Sequence, residues 1–65
     1  MENYSTRITE LRKKANLTQS ELGEKLNVTP QAVSKWENGL SEPDVETFKK
    51  MSELFSVSLD YLLNG

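Results

Sequence analysis

The sequence predicts an all-α fold of five short helices, and three observations carry that prediction. Apolar residues recur at spacings of three and four along the 65-residue chain, and no stretch shows the strict alternation of a half-buried strand. Residues of the N-capping type stand ahead of the apolar sets, with Asn, Gly and Pro between the sets. The connections left over are short, about two to six residues, as in compact helical folds.

The first set is Ile8, Leu11 and Ala15, with Ser5 as its N-cap, and predicts a helix from about Thr6 to Lys14. Thr18-Gln19-Ser20-Glu21 is a capping box, in which a hydroxyl and a carboxylate each satisfy an orphan backbone donor. It opens a second helix of about two turns carrying Leu22 and Leu26, closed by Asn27, a residue that tolerates left-handed dihedrals. Thr29 followed by Pro30 starts the third helix: proline there has a fitting φ and lacks an N–H that would go unpaired anyway. Val33 and Trp36 face inward on it, and Asn38-Gly39 ends it. Pro43 and Asp44 restart the chain into Val45, Phe48, Met51, Leu54 and Phe55, an amphipathic face expected on the longest helix. Ser58 caps a last short helix through Leu59, Leu62 and Leu63, with Asp60 near its positive end.

Composition narrows the function. The chain holds no Cys and no His, so disulfides, thiolate metal sites and the commonest general base are all excluded, and no metal or cofactor is expected. An enzyme would have to work with scattered carboxylates and no glycine-rich phosphate loop. With 35% hydrophobic and 28% charged residues the chain reads as one folded domain over residues 1–65. No apolar run approaches a membrane span or a signal-peptide core, which places the expected protein in the cytoplasm. The formal charge of −2 points away from bulk nucleic-acid binding, but it divides unevenly. Residues 1–40 carry six basic and five acidic groups, net +1, and residues 41–65 carry two basic and five acidic, net −3.

The informative pair is helices two and three. Between Leu26 and Pro30 there is room only for a tight turn, so Leu22, Leu26, Val28, Val33 and Trp36 fill the angle between the helices. Gly23, in the middle of helix two, costs about 1 kcal/mol relative to Ala, which points to another backbone lying close. Away from Val33 and Trp36, helix three presents Gln31, Ser34, Lys35 and Asn38 as one stripe. Gln and Lys are side chains that read adenine and guanine edges in the major groove, and Pro30 and Ala32 add small apolar surface suited to a thymine methyl. On composition alone the stripe reads first as an ordinary solvated face.

From Leu17 to Asn38, and more loosely from Ile8 to Leu63, the sequence resembles the helix-turn-helix DNA-binding domains of the phage repressor and Cro family, also called the xenobiotic-response-element family. The matching runs are Leu17-Thr18-Gln19-Ser20-Glu21-Leu22, Asn27-Val28-Thr29, and Gln31 through Gly39; the ending Val57-Ser58-Leu59-Asp60-Tyr61-Leu62-Leu63 resembles the family's fifth helix. The resemblance implies a lambda-repressor-like fold with the helix-turn-helix at about 18–38, and a transcriptional repressor that binds a palindromic operator in double-stranded DNA as a homodimer. It further implies base contacts by Gln31, Ser34 and Lys35, with Pro30 and Ala32 beside them, and phosphate contacts by Gln19, Asn38 and Arg12. Arg12 and Glu37 match a pair that ties helix one to the end of helix three.

Where family members often carry basic residues after the recognition helix, this chain has Leu40-Ser41-Glu42-Pro43-Asp44, so affinity per half-site is expected to be low. Arg7, Lys13 and Lys14 could supplement it. Self-association is expected around Phe55, Val57, Leu59, Tyr61 and Leu62, residues that could equally just close the core. The acidic second half favours the alternative, an antitoxin or accessory module that grips a protein partner.

Overall fold

The computed structural model describes residues 4–64, and over them the chain forms five helices: α1 (Tyr4–Lys14), α2 (Gln19–Leu26), α3 (Pro30–Glu37), α4 (Val45–Phe55) and α5 (Leu59–Asn64). The N-terminal signals act as expected. The Thr18 hydroxyl accepts from the Glu21 N–H at 3.0 Å while the Thr18 N–H donates to Glu21 Oε1 at 2.8 Å, completing the capping box. Thr29 Oγ1 accepts from the Ala32 N–H at 3.1 Å, Asp44 Oδ1 from the Thr47 N–H at 2.9 Å, and Ser58 Oγ from the Tyr61 N–H at 3.0 Å. α1 departs from expectation. It begins at Tyr4, so Ser5 lies inside the helix, and its carbonyl accepts from the Thr9 hydroxyl instead of the residue acting as an N-cap.

One device ends each of the first four helices. Asn16, Asn27, Gly39 and Ser56 all take positive φ, between 56° and 72°. The next residue then donates its N–H five residues back: Leu17 to Arg12, Val28 to Gly23, Leu40 to Lys35 and Val57 to Ser52, at 2.8–3.1 Å. This is the Schellman arrangement, and the residue after the left-handed one is apolar in every case, as the motif favours. Leu17, Val28 and Val57 pack against the core, whereas Leu40 is 75% exposed.

The core is small: Ile8, Leu22, Leu26, Val33, Trp36, Phe48, Met51 and Leu62. α1 packs on α3 and α5, α2 on α3 and α4, and α4 on α5, so the helix pair α2–α3 leans on the rest from one side. Several expected core positions lie elsewhere. Ala15 falls past the end of α1 and is exposed, as are Val45 (65%), Leu54 and Leu63 (43%), because the short α5 covers only part of α4. Leu62, expected on a self-association surface, is fully buried, and Phe55, Val57 and Leu59 are half-buried against the core. α4 is no longer than α1; both have 11 residues. Among the described residues no helix is long and apolar enough to cross a membrane.

Gly23 is the tightest point. A Cβ placed on it would lie 2.7 Å from the Val28 carbonyl oxygen and 3.3 Å from Thr29 backbone atoms. Any gain in helix propensity from alanine is therefore overridden by a collision with backbone that has nowhere to go. Gly23→Ala is expected to destabilise the fold by about 1–3 kcal/mol, several degrees in thermal midpoint for a domain of this size; a midpoint at or above that of the parent would show that the turn yields freely.

Candidate nucleic-acid interface

α3 is held from behind by apolar contact and from its end by charge. Val33 and Trp36 sink into the core, which turns the opposite side of the helix outward. At its C-terminus the Glu37 carboxylate receives three side-chain donors from two other helices. Arg12 Nε of α1 donates to Oε2 at 2.6 Å, Arg12 Nη2 donates to Oε1 at 3.1 Å, and Gln19 Nε2, at the first position of α2, donates to Oε1 at 3.1 Å. Arg12 Nη1 also donates to the Leu17 carbonyl at 2.8 Å, fixing the α1–α2 connection. The two charged side chains are only 13% and 7% exposed, so this part-buried pair is better shielded from water than a surface bridge.

Burial pushes the Glu37 carboxyl up, but the Arg12 hydrogen bonds, the Gln19 amide and the Arg12 charge outweigh it and leave the group below the ordinary glutamate value. The same hydrogen bond raises Arg12. A carboxylate at a helix C-terminus is placed against the macrodipole, and the guanidinium offsets that cost.

Not every expected residue has the same freedom on the outward face. Pro30, Gln31 and Lys35 are exposed. Ser34 is half-buried, and its carbonyl and hydroxyl accept from Asn38 Nδ2 at 2.9 and 3.3 Å, so Ser34 and Asn38 hold each other. Ala32 is half-buried and packs on the core, which leaves Pro30 as the exposed small apolar residue of the pair. Gln19 has one amide hydrogen on Glu37 and, among the described residues, no acceptor for the second. Arg7 is not part of this face: its guanidinium lies 4.1 Å from the Tyr61 ring centroid and donates to the Tyr61 hydroxyl at 3.0 Å, joining α1 to α5. Lys13 and Lys14 are exposed at the end of α1.

Several contacts lie beyond sequence reasoning. Tyr4 donates its hydroxyl to the Ser41 carbonyl at 3.1 Å and sets its ring edge-on to Phe48, centroids 6.0 Å apart, tying the first turn of α1 to the α3–α4 connection. The Gln19–Glu37 hydrogen bond joins residues 18 apart on different helices, and no periodicity announces it.

Two helices of eight residues, joined by a turn with a left-handed Asn27, with the second helix exposed along one polar face, define a helix-turn-helix module. The chain belongs to the helix-turn-helix family whose model matches residues 8–62. It is 44% identical over 62 residues to the HTH-type transcriptional activator BcrR of Enterococcus faecalis, covering 95% of this chain and 30% of BcrR. It is 46% identical over 57 residues to the HTH-type transcriptional regulator ImmR of Bacillus subtilis strain 168, covering 88% of this chain and 45% of ImmR. The chain thus spans less than half the length of these relatives. Among solved structures it superposes on the P22 c2 repressor in complex with a synthetic operator with a TM-score of 0.93 and 35% identity, covering all of this chain and 98% of that one.

Glu37→Gln keeps the shape and removes the charge, and should cost about 1.5–3 kcal/mol at neutral pH. Because the folded carboxyl sits below its unfolded value, that contribution is complete above the ordinary glutamate range and is lost as pH falls through the lower folded value. Denaturation of both proteins across pH should therefore show a gap that is constant near neutrality and closes in acid; a gap that widens in acid would contradict the assignment.

Proposed function

We propose that this domain inserts α3 into the major groove of double-stranded DNA, and that the protein is a cytoplasmic transcriptional repressor bound to a palindromic operator as a homodimer. The observation that carries the reading is the exposed pair Gln31 and Lys35, one helical turn apart on a helix whose orientation is set by Trp36 and by the Arg12–Glu37–Gln19 contacts. Gln31 and Lys35 then read base edges, with Pro30 beside them for a thymine methyl and Ala32 contributing only its outer edge. Ser34 and Asn38 meet base or backbone after giving up their mutual hydrogen bonds. Gln19 offers its second amide hydrogen to a phosphate at the positive end of α2. Arg12, with three of its donors engaged, acts on the DNA chiefly through the position of α3.

The likeness to a repressor domain bound to an operator supports the reading. Relatives carry both signs of control in their names, activator for BcrR and repressor for C2 of Salmonella phage P22. Occupying promoter DNA blocks transcription without further machinery, so repression is the sign we propose. Dimerisation follows from weakness. One α3 offers few base readers, and the connection after it is acidic, so two linked half-sites about one helical turn apart are needed for useful affinity.

Selection from random duplexes at low salt should enrich a palindrome that binds two chains and weakens steeply with added salt; enrichment of no symmetric sequence would remove the operator reading. On the selected site, Gln31→Ala should cost about 1–3 kcal/mol and on random DNA almost nothing. Equal losses on both would strip Gln31 of a reading role.

A further inference from the structure

We propose that the groove between the start of α4 and α5 docks a segment of another protein that carries apolar side chains flanked by Lys or Arg. The groove has a volume of about 530 Å³ and is lined by Glu42, Pro43, Asp44, Val45, Phe48, Leu59 and Leu63. Two of its apolar side chains are open to solvent, Val45 at 65% and Leu63 at 43% exposed, with Leu59 half-buried and Pro43 and Phe48 buried beneath them. An exposed aliphatic cluster of this kind on a chain with few core residues to spare marks a contact surface.

Charge identifies the occupant. Both ionisable residues in the lining are acidic, and they belong to the half of the chain that carries net −3. Asp44 is partly spoken for, since it caps α4 through Thr47 and feels Lys50, which together hold its carboxyl below the usual range. Glu42 is exposed and has no hydrogen bond or ion pair among the described residues, so it supplies the free negative charge at the lip. A basic, apolar segment meets the floor and the lip at once. The groove is built from α4, α5 and the α3–α4 connection, whereas the exposed stripe Gln31 and Lys35 lies on α3, so docking and DNA reading use different residues.

The probe is a synthetic amphipathic peptide with leucines at helical spacing on one face and lysines on the other, titrated into the isotope-labelled protein without DNA. Two controls share its leucines or its composition: the same peptide with glutamates for lysines, and a scrambled sequence. The lysine peptide should shift the amide resonances of Val45, Phe48, Leu59 and Leu63, and binding should weaken with salt and by roughly tenfold in Glu42→Lys. Val45→Asp, at an exposed position, should abolish it with the thermal midpoint kept. Equal binding of the glutamate or scrambled peptide, or no effect of Glu42→Lys, overturns the proposal. Shifts of the groove resonances with protein concentration alone, before peptide is added, overturn it in favour of a second copy. Because DNA is absent, none of these outcomes depends on the operator reading.

Discussion

The C-terminal end of α3 is tied to the rest of the fold by a single carboxylate. Glu37 collects donors from Arg12 on α1 and Gln19 on α2 at the point where α3 ends, and Arg12 reaches on to the Leu17 carbonyl in the α1–α2 connection. Three helices and one connection are thereby fixed relative to each other around a bidentate pair that is nearly closed to water. Such a pair adds little net stability over an apolar replacement, and its geometry is what distinguishes it. An apolar contact at this place would let α3 rotate or slide, whereas a forked guanidinium on a carboxylate admits one arrangement. The base reading we propose depends on that restriction, since side chains on α3 would have to meet hydrogen-bonding edges whose positions the DNA sets.

The rest of the fold serves this placement with very little material. The close approach of α2 to the turn, 2.7 Å from the Gly23 Cβ position to the Val28 oxygen, brings the two helices of the module together without a side chain between them. At the other end of α1, Tyr4 pins the connection that leaves α3, and Arg7 on Tyr61 pins α5. α1 is thus a strut that ties α3 to α5 and to the connections before α2 and after α3. The charge follows the same division. The strut and the reading pair sit in the half with net +1, and the acidic half with net −3 forms α4, α5 and the open groove between them. A chain so weakly charged gains little from phosphate attraction alone, so the operator binding we propose has to draw its affinity from base contacts and from a second half-site.

Much of this was legible in the residues. Thr18-Gln19-Ser20-Glu21, Thr29-Pro30, Asp44 and Ser58 announced helix starts because capping is local chemistry, settled within four residues. Gly23 announced a close approach, although only coordinates could show that no methyl fits. Burial was read less well. Val45 and Leu63 stand at core-like spacings and are open, because periodicity says which residues share a face and not how far a six-residue α5 reaches over it. Ser34 shares the stripe of Gln31 and Lys35 yet is half-buried and bonded to Asn38, one helical turn further on. Arg7 on Tyr61 spans 54 residues, a separation at which sequence carries no pairing signal.

The central claim is that the Glu37 contacts position the helix that carries Gln31. A double-mutant cycle on a selected duplex measures it, using Gln31→Ala, Glu37→Gln and the two combined. If Glu37 sets the geometry that Gln31 needs, the loss caused by Gln31→Ala should largely vanish in the Glu37→Gln background, with a coupling of about 0.5–3 kcal/mol. Losses that simply add, within about 0.5 kcal/mol, would show that Glu37 stabilises the fold without directing the reading helix.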